Sequence, residues 1–157
     1  MKPVSFRIFV VDDDPFYQEL VTSYLHDLGH STRSFTTGEE FLKHLDSEPD
    51  LVILDHNLES DLRGDDVLRQ IKSQQHQIPV IYISSEESVS VVSDAYRLGS
   101  MDFIGKDSAS LVRIKLALEK IERERALVFV KMTKRIMAFC VAVAVVLVAG
   151  LLYYLQG

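Results

Sequence analysis

Five short apolar runs, each ending on a polar residue and separated by amphipathic stretches, constrain this chain most. Ile8-Phe9-Val10-Val11 stops at Asp12-Asp13-Asp14, and Pro15 then suits the first turn of a helix capped by Asp14. Spacing predicts that this helix turns Phe16, Leu20, Tyr24 and Leu28 inward and ends at Gly29. A short strand follows at Ser31–Phe35, and Thr37-Gly38-Glu39-Glu40 has capping-box spacing for a helix through Phe41, Leu42 and Leu45. After the break at Pro49-Asp50, Leu51-Val52-Ile53-Leu54 reads as a strand buried on both faces that ends at Asp55. A polar loop containing Gly64 leads to a helix through Val67, Leu68 and Ile71. Val80–Ile83 is the next strand, ending at Ser84-Ser85, and a helix is expected from Glu86 to Leu98 with Gly99 as terminator. Asp102–Gly105 is the last strand, ending at Lys106. Five strands alternating with five helices predict an α/β fold, a parallel sheet covered on both sides.

The strand ends carry the chemistry. Asp12 and Asp13 follow the first run, Asp55 the third, Ser84 the fourth and Lys106 the fifth. In an open parallel sheet, ligands bind beyond the carboxyl ends of the strands, near the switch in strand order. Strands one and three flank that switch, so three carboxylates converge, and such a cluster is costly unless protons or a cation relieve it. An oxygen-lined, hydrated pocket suits Mg²⁺, which also neutralises a phosphoryl group. Ser84 can donate to a phosphoryl oxygen, and Lys106 supplies a point charge at the same place. Singly, each residue has a plainer reading as a helix cap, loop acid, turn residue or solvated lysine. Their joint occurrence at successive strand ends points to one site.

The segments Val10-Val11-Asp12-Asp13-Asp14-Pro15, Leu51-Val52-Ile53-Leu54-Asp55, Pro79-Val80-Ile81-Tyr82-Ile83-Ser84 and Ala95-Tyr96-Arg97-Leu98-Gly99, with Asp102-Phe103-Ile104-Gly105-Lys106, resemble the receiver domain of bacterial response regulators. The match covers about Phe6 to Ile121, in the family's order. The resemblance implies a doubly wound, flavodoxin-like sheet of order 2-1-3-4-5. It makes Asp55 the acceptor of a phosphoryl group from a histidine kinase or histidine phosphotransfer protein. Asp13 would bind Mg²⁺ directly and Asp12 through water, with Asp55 and the Asn57 carbonyl completing the protein ligands. Ser84 and Lys106 would hold phosphoryl oxygens, and Phe103 would be the aromatic that changes position with Ser84. Asn57 and Glu86 would flank the path of attacking water, as in chemotaxis-type receivers. A receiver catalyses only its own phosphorylation and dephosphorylation, so a general enzyme is not expected. Two positions depart from the family: Glu59 replaces a proline, with Gly64 one residue late, and Asp107 replaces the proline after the lysine.

Every charged residue lies at or before Arg135, and Ile136–Leu155 is uncharged. Twenty helical residues span about 30 Å, the thickness of a bilayer's hydrocarbon core. Lys131, Lys134 and Arg135 precede the segment and favour keeping that side in the cytoplasm, while Tyr153 and Tyr154 lie near the far boundary. The expected localisation is the inner membrane, crossed once, with the receiver in the cytoplasm. The N-terminus has no apolar run of signal-peptide length. Neither Gly nor Pro interrupts residues 107–149, so one helix on the order of 70 Å can run from Ser108 to Leu155. Leu111, Ile114, Leu118 and Ile121 would pack on the sheet, or with Val128 would form a seam to a second copy. Ala138, Ala142, Ala149 and Val145 can share a face suited to close helix packing.

The expected division is a receiver at 1–122, a helical linker at 123–135 and a membrane helix at 136–155. A net charge of −6 offers no basic face for nucleic acid, and the single cysteine, Cys140, excludes an internal disulfide. Two other readings compete. Haloacid-dehalogenase-like phosphotransferases also combine an aspartyl nucleophile, Ser/Thr, Lys and Mg²⁺, but they need an Asp-x-Asp motif, which Asp55-His56-Asn57 does not provide. The alternative within the fold is a membrane scaffold that is not phosphorylated.

Overall fold

The computed structural model describes residues 5–74 and 77–156, and the chain forms two compact units, Met1–Ala117 and Leu118–Gly157. The first unit alternates β1 (Arg7–Val11), α1 (Pro15–Asp27), β2 (Ser31–Phe35), α2 (Gly38–Leu42), β3 (Leu51–Asp55), α3 (Gly64–Ser73), β4 (Val80–Ser84), α4 (Val89–Arg97) and β5 (Asp102–Gly105). The five strands form one sheet in the order β2-β1-β3-β4-β5, every neighbouring pair parallel. This is the expected doubly wound arrangement. β3 and β4 are buried along their whole length, which is why both read as unbroken apolar runs rather than alternating ones. Val11 lies opposite Leu54, Asp55 opposite Ile83 and Ser84 opposite Gly105. That register brings the chemistry-bearing residues to the carboxyl end of the sheet.

One face of the sheet is closed by a cluster that includes Phe9, Phe35 and Phe41. Their rings meet edge-on at centroid distances of 5.2, 6.4 and 5.7 Å. Burying one such ring contributes about 2–3 kcal/mol, and the edge-on geometry suits the ring quadrupoles.

Local signals account for most boundaries. The Asp14 carboxylate accepts from the N–H groups of Phe16 and Tyr17 and caps α1, with Pro15 in its first turn. Thr37 caps α2 through the Glu40 N–H. Gly29 and Gly99 take φ of +87° and +96° just past α1 and α4, the left-handed turn that stops a helix and that only glycine adopts without strain.

Three expectations are corrected. Tyr17, Val21 and Leu25 are the buried face of α1, whereas Phe16 is 74% and Leu20 40% exposed and Tyr24 and Leu28 are half-buried. Two apolar stripes lie one residue apart, about 100° around the helix, and the Asp14–Pro15 start sets a phase that turns the second one inward. The second helix ends at Leu42, and Leu45–Ser47 is a separate 3-10 turn. α4 begins at Val89 rather than Glu86, because Ser88 accepts from the Val91 N–H as its cap.

The last helix, α5, spans Ser110–Gln156. Within the first unit it buries Ser110, Ile114 and Ala117. Of the remaining expected stripe, Leu118 and Ile121 are buried and Leu111 is half-buried. From Arg123 onward every described residue with a described side chain is exposed, Val128 and Cys140 included. Part of this helix is long and apolar enough to cross a membrane, with a mean hydropathy of 2.0 and none of that stretch buried. The side chains of Val145, Tyr153 and Tyr154 lie outside the described residues.

Candidate functional site

The ends of β1, β3, β4 and β5 deliver the site. Asp12 and Asp55 are fully buried, 0% and 2% exposed, as is Ser84. Asp13 is half-buried at the rim. One carboxylate oxygen from each of Asp12, Asp13 and Asp55 lies within 4.8 Å of the other two. Lys106 reaches in from the end of β5, its Nζ 2.9 Å from Asp12 Oδ2 and 3.0 Å from Asp55 Oδ2. Burial pushes the Asp12 carboxyl up to about 6, with a smaller push from Asp55, while Lys106 pulls the other way. Burial also raises Asp55 against the opposing pull of Lys106 and the Asn57 main chain. Burial disfavours the Lys106 charge, but Asp12 and Asp55 outweigh it and hold its pKa above the ordinary value.

Main-chain groups fix these carboxylates. Asp14 N–H donates to Asp12 Oδ1 at 3.0 Å, and Glu59 N–H donates to Asp13 Oδ2 at 2.9 Å. Asp55 Oδ1 is buried and accepts no hydrogen bond of normal geometry. A buried carboxylate oxygen without a partner is costly, so this atom is suited to a ligand. An all-oxygen donor set with an unfilled carboxylate position is what a hard, hydrated cation such as Mg²⁺ takes, so the residues present fit that ion.

The remaining expected residues come from β4, β5 and the loops that follow β3 and β4. The Ser84 hydroxyl accepts from the Glu86 N–H at 2.9 Å, and the Ser84 carbonyl accepts from the Lys106 N–H at 2.8 Å. Glu86 lies in the loop before α4, its carboxylate accepting from the Ser88 hydroxyl at 2.9 Å. Asn57 is exposed two residues beyond Asp55. Phe103 is half-buried, opposite Tyr82 in the β4–β5 register, with ring centroids 6.5 Å apart.

Several contributors were not expected. Lys106 Nζ sits 4.7 Å from the centroid of the Tyr17 ring, a cation–π contact that holds the ammonium from its apolar side. The Gln18 side chain donates to the carbonyls of Asp12 and Phe35 at 3.1 and 3.0 Å, tying β1 to β2 beside the site. Beneath Asp55, the Tyr82 hydroxyl donates to Asp65 Oδ1 at 2.5 Å and lies 3.0 Å from His56 Nδ1. Burial and the Asp65 carboxylate drive the Tyr82 hydroxyl far above its ordinary pKa, so it stays a donor. One signal was available for this group: a tyrosine inside an otherwise apolar strand run, and a histidine just past the end of another.

The family model for the response regulator receiver domain matches residues 8–119. The chain is 32% identical to the transcriptional regulatory protein CssR of Bacillus subtilis (strain 168) over 124 residues, covering 77% of this chain and 55% of CssR. It is 30% identical to the response regulator protein TodT of Pseudomonas putida over 123 residues, covering 76% of this chain and 54% of TodT. The chain thus spans about half the length of these curated relatives. Among solved structures, the receiver domain of NtrX from Brucella abortus superposes with a TM-score of 0.67 at 35% identity, over 73% of this chain and 96% of that one. With this sheet order and these strand-end residues, the chain belongs to the response regulator receiver domain family.

Proposed function

We propose that this chain is a membrane-anchored receiver that accepts a phosphoryl group on Asp55 from the phosphohistidine of a kinase or phosphotransfer protein. The observation that carries the reading is the asymmetry of the Asp55 carboxylate. The buried Oδ1 accepts no hydrogen bond of normal geometry and is left for the cation, while Oδ2, paired with Lys106 at 3.0 Å, is the oxygen that attacks. Its lone pair forms the new P–O bond as the P–N bond of the donor breaks. That electron pair stays on the imidazole nitrogen. In the reverse sense of the switch, water attacks phosphorus, the acyl P–O bond breaks, and the carboxylate is restored with release of inorganic phosphate. Asp13 directly, Asp12 through water, Asp55 and the Asn57 carbonyl would hold Mg²⁺, which supplies positive charge against the phosphoryl oxygens. Lys106 and the Ser84 hydroxyl bind those oxygens from the opposite side, and Phe103 shifts as Ser84 moves toward them. Asn57 and Glu86 border the approach of water.

The proposed division is a receiver at 1–122, a helical linker at 123–135 and a single membrane span at 136–155, with the receiver on the cytoplasmic side. It is supported by the uncharged segment, the basic residues before it and the exposed apolar surface of α5. Full-length protein in detergent, incubated with acetyl phosphate and Mg²⁺, should gain one base-labile, hydroxylamine-labile phosphoryl group. Asp55→Asn should gain none. A wild-type chain that stays unlabelled with Mg²⁺ present would favour a scaffold that is not phosphorylated.

A further inference from the structure

The loop of residues 56–63 between β3 and α3 departs from the family pattern in length and in lacking its proline, yet it touches the acidic centre. Its Glu59 N–H holds Asp13, and the Asn57 main chain acts on Asp55. The position of this loop therefore bears on two of the three carboxylates. Two features close its base. The Gly64 N–H donates to the His56 carbonyl at 3.2 Å. Beside that bond, Tyr82 from β4 joins His56 at the start of the loop to Asp65 just past its end. The Tyr82 hydroxyl has one proton, which goes to Asp65 Oδ1, so its oxygen accepts from the His56 Nδ1–H. That assigns the imidazole tautomer. Gly64 completes the closure: a Cβ there would lie 2.2 Å from the Asp55 carbonyl oxygen and 2.8 Å from the Tyr82 hydroxyl.

We propose that Tyr82, Asp65 and His56 form a positioning network that clamps the base of the 56–63 loop, and so sets the affinity of the acidic centre for a divalent cation. The inference rests on the cation reading given above. None of the three side chains need touch the ion. Asp65 lies in the first turn of α3, where the helix N-terminus favours a carboxylate, so the anchor on the far side of the loop is itself held. With the hydroxyl removed, the base keeps the Gly64–His56 backbone hydrogen bond and a longer His56 Nδ1–Asp65 Oδ1 approach of 3.6 Å, too long for a hydrogen bond. The loop then samples positions in which Glu59 N–H no longer meets Asp13.

The test is calorimetric titration of Mg²⁺ into the full-length protein in detergent, wild type against Tyr82→Phe, Asp65→Ala, Asp65→Asn and the double variant Tyr82→Phe/Asp65→Ala. Tyr82→Phe and Asp65→Ala should each weaken Mg²⁺ binding by roughly three- to tenfold. The double variant should be no weaker than either single one, because members of one network are not additive. Asp65→Asn keeps an oxygen acceptor for Tyr82 without the charge and should bind within twofold of wild type. A merely structural role would lower the thermal midpoint of the metal-free protein while leaving Mg²⁺ affinity alone, so that midpoint is recorded for each variant. Unchanged affinity in Tyr82→Phe and Asp65→Ala overturns the proposal. So does an Asp65→Asn as weak as Asp65→Ala, since charge alone would then be acting. If Tyr82→Phe fails to fold, the Asp65 pair decides alone. A wild-type protein that binds no Mg²⁺ would sink the underlying cation reading instead, a separate outcome.

Discussion

Lys106 Nζ lies 3.0 Å from Asp55 Oδ2, so the ammonium occupies one side of the proposed acceptor and leaves the other oxygen open. The same ammonium pairs with the fully buried Asp12. Two buried carboxylates therefore depend on one cation in the metal-free protein. Lys106→Ala removes that cation, and breaking a buried pair from one side typically costs several kcal/mol. The expected loss is roughly 2–4 kcal/mol of metal-free stability by urea unfolding, with millimolar Mg²⁺ restoring part of it. Loss of less than half a kcal/mol would show that the carboxylates are neutral without the lysine.

The elevated carboxyl of Asp12 makes the metal-free fold sensitive to pH. Its folded pKa of about 6 exceeds the ordinary 3.8, so between these values the folded chain binds more protons than the unfolded one. Stability from this group is therefore greatest below about pH 4 and declines as pH rises through 6. Asp55, raised in the same direction, adds to the slope. Asp12→Asn should flatten this profile and stabilise the metal-free protein at pH 7 by roughly 1–2 kcal/mol, while weakening Mg²⁺ binding. Denaturant melts from pH 4 to 8 in EDTA measure both slopes. A variant less stable than wild type at pH 7 would count against burial as the dominant cause.

Gly64 has no room for a side chain. The nearest obstacles to an added Cβ are backbone, the Asp55 carbonyl oxygen at 2.2 Å and the His56 Cα at 2.8 Å, and neither can rotate away. Gly64→Ala should cost roughly 2–3 kcal/mol and disturb labelling of Asp55 by displacing the end of β3. Chemical denaturation and phosphoryl incorporation at saturating Mg²⁺ check the two effects. A variant with wild-type stability and labelling would show that the loop yields freely.

The architecture was legible because both central strands are apolar throughout and each ends on a residue that does not belong in a core. Asp55, Ser84 and Lys106 could be placed by reading where the apolar runs stop. The buried face of α1 was not legible in the same way. Phe16-Leu20 and Tyr17-Val21-Leu25 are both apolar stripes, and only the phase set at Asp14 and Pro15 chooses between them. Nor could spacing reveal that Tyr82, His56 and Asp65 meet, since they come from β4, a loop and α3 and share no period. The Glu59 N–H on Asp13 was equally hidden, because main-chain donors leave no trace in residue type.

Dephosphorylation should be fast. Asn57 is exposed beside Asp55, and Glu86 is a loop residue whose N–H meets Ser84, so neither places an apolar shield over the acyl phosphate. Asn57→Met would place one there. The half-life of phosphorylated wild type should be minutes or less, with at least a severalfold increase in the variant. An acyl phosphate that lasts hours in wild type, or no slowing in Asn57→Met, would remove this reading.

The membrane assignment predicts how the protein fractionates. Along α5 the residues Ile136, Met137, Phe139 and Val141 are 60–70% exposed, as are Val146 and Leu147 at 69% and 68%. An apolar helical surface of this length is unfavourable in water and favourable in hydrocarbon. Full-length protein should therefore pellet with membranes and resist both high salt and carbonate, because apolar burial rather than charge would hold it. Removal of Ile136–Gly157 should release a folded domain into the soluble fraction that still labels on Asp55, since every proposed site residue precedes Asp107. Protease added to the cytoplasmic side should cut the receiver away. Replacing residues 136–155 with an unrelated membrane helix separates two roles for the segment. Retained signalling would make it an anchor that raises the local concentration of receiver near membrane partners. Lost signalling with normal membrane localisation would assign it specific helix contacts. Wild-type protein in the soluble fraction of lysed cells would end both readings.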